Sequence, residues 1–117
     1  MKELPNRRQG VTYKTKINKW SCFITINDYQ DGTPAEIFID VAKRDTPTND
    51  MFAVLGMVMS LALQHGCTPD ELLHTLESFQ PEQWPSQVGL ILREHCQRYG
   101  NRLSSSDANT EDWNKVG

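Results

Sequence analysis

Apolar and polar residues alternate three times in the first part of this chain. Val11, Tyr13, Thr15 and Ile17 alternate with Thr12, Lys14, Lys16 and Asn18, a period of two that predicts a strand with one buried face. Lys19 and Trp20 read as a turn. Ser21 to Asn27 repeats the pattern, with Cys22, Ile24 and Ile26 opposite Phe23 and Thr25. The stretch Asp28 to Thr33 carries an Asp-Gly pair that accepts positive φ, so it predicts a reversal into a third strand over Ala35 to Ala42. There Ile37, Ile39 and Val41 share one face, and Glu36, Phe38 and Asp40 the other. The expectation is an α+β fold, a three-stranded antiparallel meander followed by two to three helices packed on one face.

The period then changes. Pro47 lies between two threonines in a loop from Lys43 to Asn49, and a helix is expected from about Asp50 to Gln64, capped by Thr48 or Asn49 and closed by Gly66. Thr68 and Glu71 have capping-box spacing with Pro69 at the first helical position, which starts a second helix running to about Phe79. Pro81 and Pro85 break the chain again. Val88, Ile91, Leu92, His95, Cys96 and Tyr99 recur at helical spacing, giving a third helix that ends near Gly100. Residues 1–10 read as a polar N-terminal arm, 11–100 as a single domain, and 101–117 as a flexible polar tail too poor in apolar groups to offset its ordering entropy.

The first helix has too much apolar surface for one partner. Met51, Val54, Leu55, Val58, Leu61 and Ala62 form one stripe, and Phe52, Met59 and Leu63 form another. A helix on an open sheet needs one apolar face. The second calls for the later helices or a second copy of the chain. Gly56 and Ser60, small and four apart, admit close approach by another helix, so Phe52, Gly56, Met59, Ser60 and Leu63 are the candidate dimer or helix-packing face.

Composition narrows the functional classes. The 117 residues suit one domain, and a net charge of −3 gives no overall basic field to draw in nucleic acid. Lys2, Arg7, Arg8, Lys14, Lys16 and Lys19 crowd the first part of the chain, which reads either as a local basic spot or as a solvated strand face with edge-protecting lysines. The three cysteines, Cys22, Cys67 and Cys96, lack CxxC spacing, and a reduced, cytoplasmic setting is expected. The apolar run Met51 to Leu63 is shorter than a membrane span. His65 and Cys67 are two apart without further ligands at metal-site spacing, and His74 and His95 read as ordinary surface or half-buried side chains, so no metal is expected. The candidate ligand site is the loop before the first helix. Lys43, Arg44, Thr46, Thr48 and Asn49 surround a helix N-terminus, where free N–H groups and the helix dipole favour a nucleotide phosphate. Plain helix capping accounts for Thr48 and Asn49 equally well.

Several blocks resemble a known family. They are Arg8-Gln9-Gly10-Val11-Thr12-Tyr13-Lys14, Phe23-Ile24-Thr25-Ile26, Asp31-Gly32-Thr33-Pro34-Ala35-Glu36-Ile37-Phe38-Ile39, Ala42-Lys43, and Ser60-Leu61-Ala62-Leu63-Gln64-His65-Gly66. In order and spacing they resemble the TSCPD domain, found near the C-terminus of adenosylcobalamin-dependent ribonucleotide reductases and as short free-standing proteins. The resemblance covers Arg7 to about Pro81. The Cys-containing string that names the domain is absent, and Arg44-Asp45-Thr46-Pro47-Thr48 stands where the family more often has Gly-Ser. Both departures count against a redox or metal role. The resemblance implies a non-catalytic accessory or regulatory module related to ribonucleoside-diphosphate reductase, without the catalytic barrel, a catalytic residue or a cofactor of its own, adenosylcobalamin belonging to the long members. The expected partners are a second copy, a nucleotide or a reductase, and neither nucleic acid nor membrane. A stand-alone nucleotide-sequestering protein and a purely structural dimerisation module are the alternatives.

Overall fold

Three antiparallel strands, β1 (Gln9–Ile17), β2 (Trp20–Asp28) and β3 (Pro34–Val41), form a sheet in the order β1-β2-β3. The computed structural model describes residues 9–42 and 47–100. The register stacks Tyr13, Ile24 and Ile39 in one row and Lys14, Phe23 and Asp40 in the next. The first reversal is one residue tighter than the sequence suggests. Trp20 already pairs with Ile17, and the turn residue Asn18 takes φ 57°, a left-handed conformation that asparagine accepts more readily than most residues. In the second reversal Asp31 Oδ1 accepts from the Thr33 N–H at 3.0 Å and from its hydroxyl at 2.6 Å, while Gly32 takes φ 91°.

Alternation sorts the sheet into two faces. Ile17, Cys22, Ile24, Ile26, Ile37, Ile39 and Val41 are buried beneath the helices, whereas Thr12, Lys14, Lys16, Phe23, Phe38 and Asp40 face solvent. The helices are α1 (Pro47–Gln64), α2 (Pro69–Leu76) and α3 (Trp84–His95), the last continued by a π-type turn over Cys96–Gly100. This is the α+β meander with helices on one face that the periodicity implies. Two prolines act as helix starters and not as breakers. Pro47 opens α1 before the expected Asp50, and Pro85 sits in the first turn of α3. A preset φ and a missing N–H cost nothing in a first turn, where the N–H has no intrahelical partner. Thr48 and Asn49 therefore lie inside α1 and do not precede it as caps. α2 starts with the expected box, Thr68 Oγ1 accepting from the Glu71 N–H at 3.1 Å and Glu71 Oε1 from the Thr68 N–H at 2.8 Å. It ends at Leu76, short of Phe79.

α1 lies along the free edge of β3 and runs opposite to it. Even-numbered β3 residues turn their backbone groups towards β2, in phase with Ala42 just past the strand, which donates to the Ser21 carbonyl at 2.9 Å. The odd-numbered ones point outward, and α1 side chains meet them. Asn49 Oδ1 accepts from the Val41 N–H at 3.3 Å. Ser60 Oγ lies 2.8 Å from the Ile37 N–H donor and 3.1 Å from the Ile37 carbonyl. Gln64 Nε2 donates to the Ala35 carbonyl at 3.1 Å. Gly56 lets the two backbones approach: a Cβ there would sit 2.8 Å from the Ile37 carbonyl oxygen. Phe52, Gly56, Met59, Ser60 and Leu63 are accordingly all buried within one chain. The small pair Gly56 and Ser60 admits a strand backbone, not the second helix that the sequence suggests, because an edge strand offers polar groups that a serine hydroxyl can satisfy.

α3 covers the inner face of β1 and β2 and is fastened by a polar triplet centred on a buried histidine. His95 is fully buried, its Nδ1 2.7 Å from the Tyr13 hydroxyl and its Nε2 2.9 Å from Asp28 Oδ1. A carboxylate only accepts, so Nε2 donates to Asp28, while Nδ1 shares the second hydrogen bond with the Tyr13 hydroxyl. The expectation of a surface or half-buried His95 is thus corrected, since two partners from two strands compensate its burial. Burial first, and the neighbouring Tyr99 second, push the Tyr13 phenol up to about 12.

Two predictions follow from this packing. Gly56→Ala adds up to about 1 kcal/mol of helix propensity but drives a methyl into a backbone carbonyl, so a net loss of about 1–3 kcal/mol in urea unfolding is expected; Ser60→Ala, which strands the Ile37 N–H, loses about as much. Unchanged stability in both variants would show that α1 does not seal this edge. The second concerns alkaline pH. Folding raises Tyr13 above its ordinary 10.0, so its contribution is intact below pH 10 and is lost as pH rises through about 12. The urea midpoint of the native chain should drop more steeply over that interval than that of Tyr13→Phe, and equal slopes would contradict the buried phenol.

Candidate functional site

A cleft of about 640 Å³ opens between the N-terminal half of α1, the β1–β2 turn and the start of α3. Three aromatic rings from three elements build its floor and end. Phe52, buried on α1, meets Trp20 of β2 edge-on at 6.3 Å between centroids and Trp84 of α3 edge-on at 5.1 Å. Trp20 is placed there because the tight turn at Asn18 makes it the first residue of β2, on the inner face. Trp84 is the first residue of α3. The preceding turn holds it, with Gln83 Oε1 accepting from the Gln80 N–H at 2.9 Å, and Asn18 ties the two sides together by donating its N–H to Gln87 Oε1 at 3.0 Å. Both tryptophans keep part of their surface open. Met51, Val54 and Val58 form the α1 wall, and Asn18, Thr48 and Asp50 supply polar groups at the rim. An aromatic, apolar trough with a few polar groups suits a flat organic ring.

Of the residues expected to hold a phosphate, Thr48 reaches this cleft and Asn49 does not. The Asn49 carboxamide oxygen is engaged by the Val41 N–H. Lys43, Arg44 and Thr46 lie outside the described residues. The residues expected as a dimer or helix-packing face, Phe52, Gly56, Met59, Ser60 and Leu63, form the contact between α1 and its own sheet. Sequence reasoning missed the cleft itself. In the sequence Trp20 reads as a turn residue and Trp84 lies between two prolines that read as breaks; their pairing through Phe52 joins segments 32 residues apart or more, which no local period reveals.

The thiols and the Tyr13 phenol are all shifted upward. Burial raises the thiols of Cys22 and Cys67, and it pushes Cys96 up to about 11 with help from the charges of Asp28 and Asp70. A redox or nucleophilic thiol needs the opposite shift. The Tyr13–His95–Asp28 triplet has the shape of a relay, yet its terminal phenol is raised and not activated. All three cysteines are free, and no group of three or more His, Cys, Asp or Glu among the described residues is placed to hold a metal ion. Among the described residues no helix is long and apolar enough to cross a membrane.

Comparison with known proteins places this architecture. The TSCPD domain family matches residues 1–96, through all three strands and the three helices. The vitamin B12-dependent ribonucleotide reductase of Agrobacterium fabrum (strain C58 / ATCC 33970) is 33% identical over 126 residues, covering 97% of this chain and 10% of the reductase. The enzyme of the same name from Bradyrhizobium diazoefficiens is 31% identical over 81 residues, covering 68% of this chain and 6% of the reductase. That of Rhodopirellula baltica is 33% identical over 63 residues, covering 54% and 6%. The chain thus spans a tenth or less of the length of these relatives. No solved structure matches it. On the extent of the family match and the identity to these reductases, the chain belongs to the TSCPD domain family.

Proposed function

We propose that this chain is a non-catalytic accessory module of ribonucleotide reduction that works in the cytoplasm as a homodimer and binds a nucleotide. The observation that carries the reading is the cleft floored by Trp20, Phe52 and Trp84 beside the N-terminal half of α1. A nucleobase stacks on exposed indole faces, at about 1–3 kcal/mol per base. Thr48 and Asp50 at the rim are a donor and an acceptor suited to ribose hydroxyls. Lys43 and Arg44, just ahead of α1 in the sequence, supply positive charge for the phosphate in this reading. The raised thiols support a role without redox chemistry. No histidine or cysteine lines the cleft, so its donor set does not suit the axial position of a corrin, and the reading includes no cofactor.

A second reading, docking on a reductase, is favoured by the relatives, in which the matching segment is part of one long chain with the reductase. Titration of the tryptophan fluorescence with nucleoside mono-, di- and triphosphates separates the two. Saturable quenching is expected for at least one nucleotide, with affinity lowered about tenfold or more in Trp84→Ala. If every nucleotide leaves the emission unchanged to millimolar concentration, the binding role is lost, and recovery of a reductase with the tagged chain from its source cell would favour docking instead.

A further inference from the structure

α1 carries an apolar stripe that no other described residue of its chain covers. Met51, Val54, Val58 and Leu61 are 66%, 54%, 55% and 57% exposed, with Met57 beside them at 55%. Their steps of three, four and three residues keep them on one line along the helix, the spacing of a two-helix seam. Asp50 is the one charged residue in the 18 of α1, whereas a solvated helix face is normally rich in charge. These five side chains expose roughly 500 Å² of apolar surface, near the upper end of what a monomer leaves open.

We propose that a second copy of this chain covers the stripe, the two α1 helices packing antiparallel about a two-fold axis. Met51 then meets the partner's Leu61, and Val54 meets the partner's Val58. A two-fold interface must be complementary to itself. Read from either end, this stripe runs large, valine, valine, large, so each wide residue faces a wide one and each valine a valine. No like charges are brought together along the seam, and the antiparallel arrangement opposes the two helix dipoles. Covered in full, the stripe would supply up to about 500 Å² of the standard contact of about 800 Å² per partner, and the partly open Trp84 and Leu55 beside it extend the same apolar surface. Met51, Val54 and Val58 are also the α1 wall of the cleft. The second copy therefore runs along the mouth of the cleft, where the partner's Leu61 lengthens its apolar wall.

This inference rests on the homodimer proposed above and adds its face and register. Native mass spectrometry and sedimentation of the full chain should give twice 13.4 kDa. Val54→Asp and Val58→Asp, at exposed positions, should keep the far-ultraviolet circular dichroism and weaken association about a hundredfold or more. In chains with Cys67 replaced by Ser, oxidation of a mixture of Met51→Cys and Leu61→Cys should give the mixed disulfide in preference to either self-linked product. A native chain that stays monomeric, or that instead occupies this face with a reductase, overturns both the homodimer and the inference. A dimer that survives both aspartates overturns the face and leaves the homodimer standing. Self-linked Met51→Cys as the main product overturns the antiparallel register. Because Met51, Val54 and Val58 also wall the cleft, nucleotide titration is read on the native chain, apart from these variants.

Discussion

The structure depends on how the outer edge of β3 is satisfied. A three-stranded sheet has two edges, and an edge strand next to a helix layer has N–H and C=O groups turned away from its neighbour. Here Asn49, Ser60 and Gln64 reach across from α1 to Val41, Ile37 and Ala35, and Gly56 removes the side chain that would hold the helix away. The side chains of those same β3 residues, Ala35, Ile37 and Val41, point into the core. Backbone satisfaction and core packing thus demand the same placement of α1, and neither can be altered without the other. The opposite edge is handled differently. β1 carries Lys14 and Lys16 on its exposed face, charges that discourage another strand from adding there.

Much of this was legible in the sequence because it is local. The strand periods, the Asp31-Gly32 reversal, the Thr68–Glu71 capping box and the double apolar character of α1 each depend on residues a few positions apart. The meander and its helical layer followed. Long-range pairings were not legible. Tyr13 and His95 are 82 positions apart, and a lone histidine on a helical stripe gives no sign that a phenol and a carboxylate await it on two strands. The helices start earlier than the pattern predicts because Pro47 reads as a loop residue and Pro85 as a break, although the first turn is where proline fits. At Gly56 and Ser60 the small size was evident but the partner was not. Side-chain volume signals close approach by a backbone without saying whether it belongs to a helix or a strand.

The candidate site divides along the same line. A phosphate-favouring loop can be inferred from residue types in one short segment, and Thr48 of that segment does reach the cleft. The aromatic floor requires Trp20, Phe52 and Trp84 to converge from a strand and two helices, which only the packed fold reveals. The electrostatics are consistent with this division. The half-buried Tyr13 phenol and Cys96 thiol are shifted towards their uncharged forms, so these two groups serve cohesion.

The fastening of α1 along β3 has a mechanical corollary. A helix bound to its sheet by side-chain bonds near both ends and by a glycine contact between them has little freedom to slide, roll or be exchanged with that of a neighbouring molecule. Its far side is therefore a stiff surface, set in place before anything arrives. A binding partner that meets a stiff surface loses less of its affinity to ordering than one that must first arrange a pliable segment. The residues that close the sheet's edge on one flank of α1 thus make the other flank rigid, at a distance of one helix diameter.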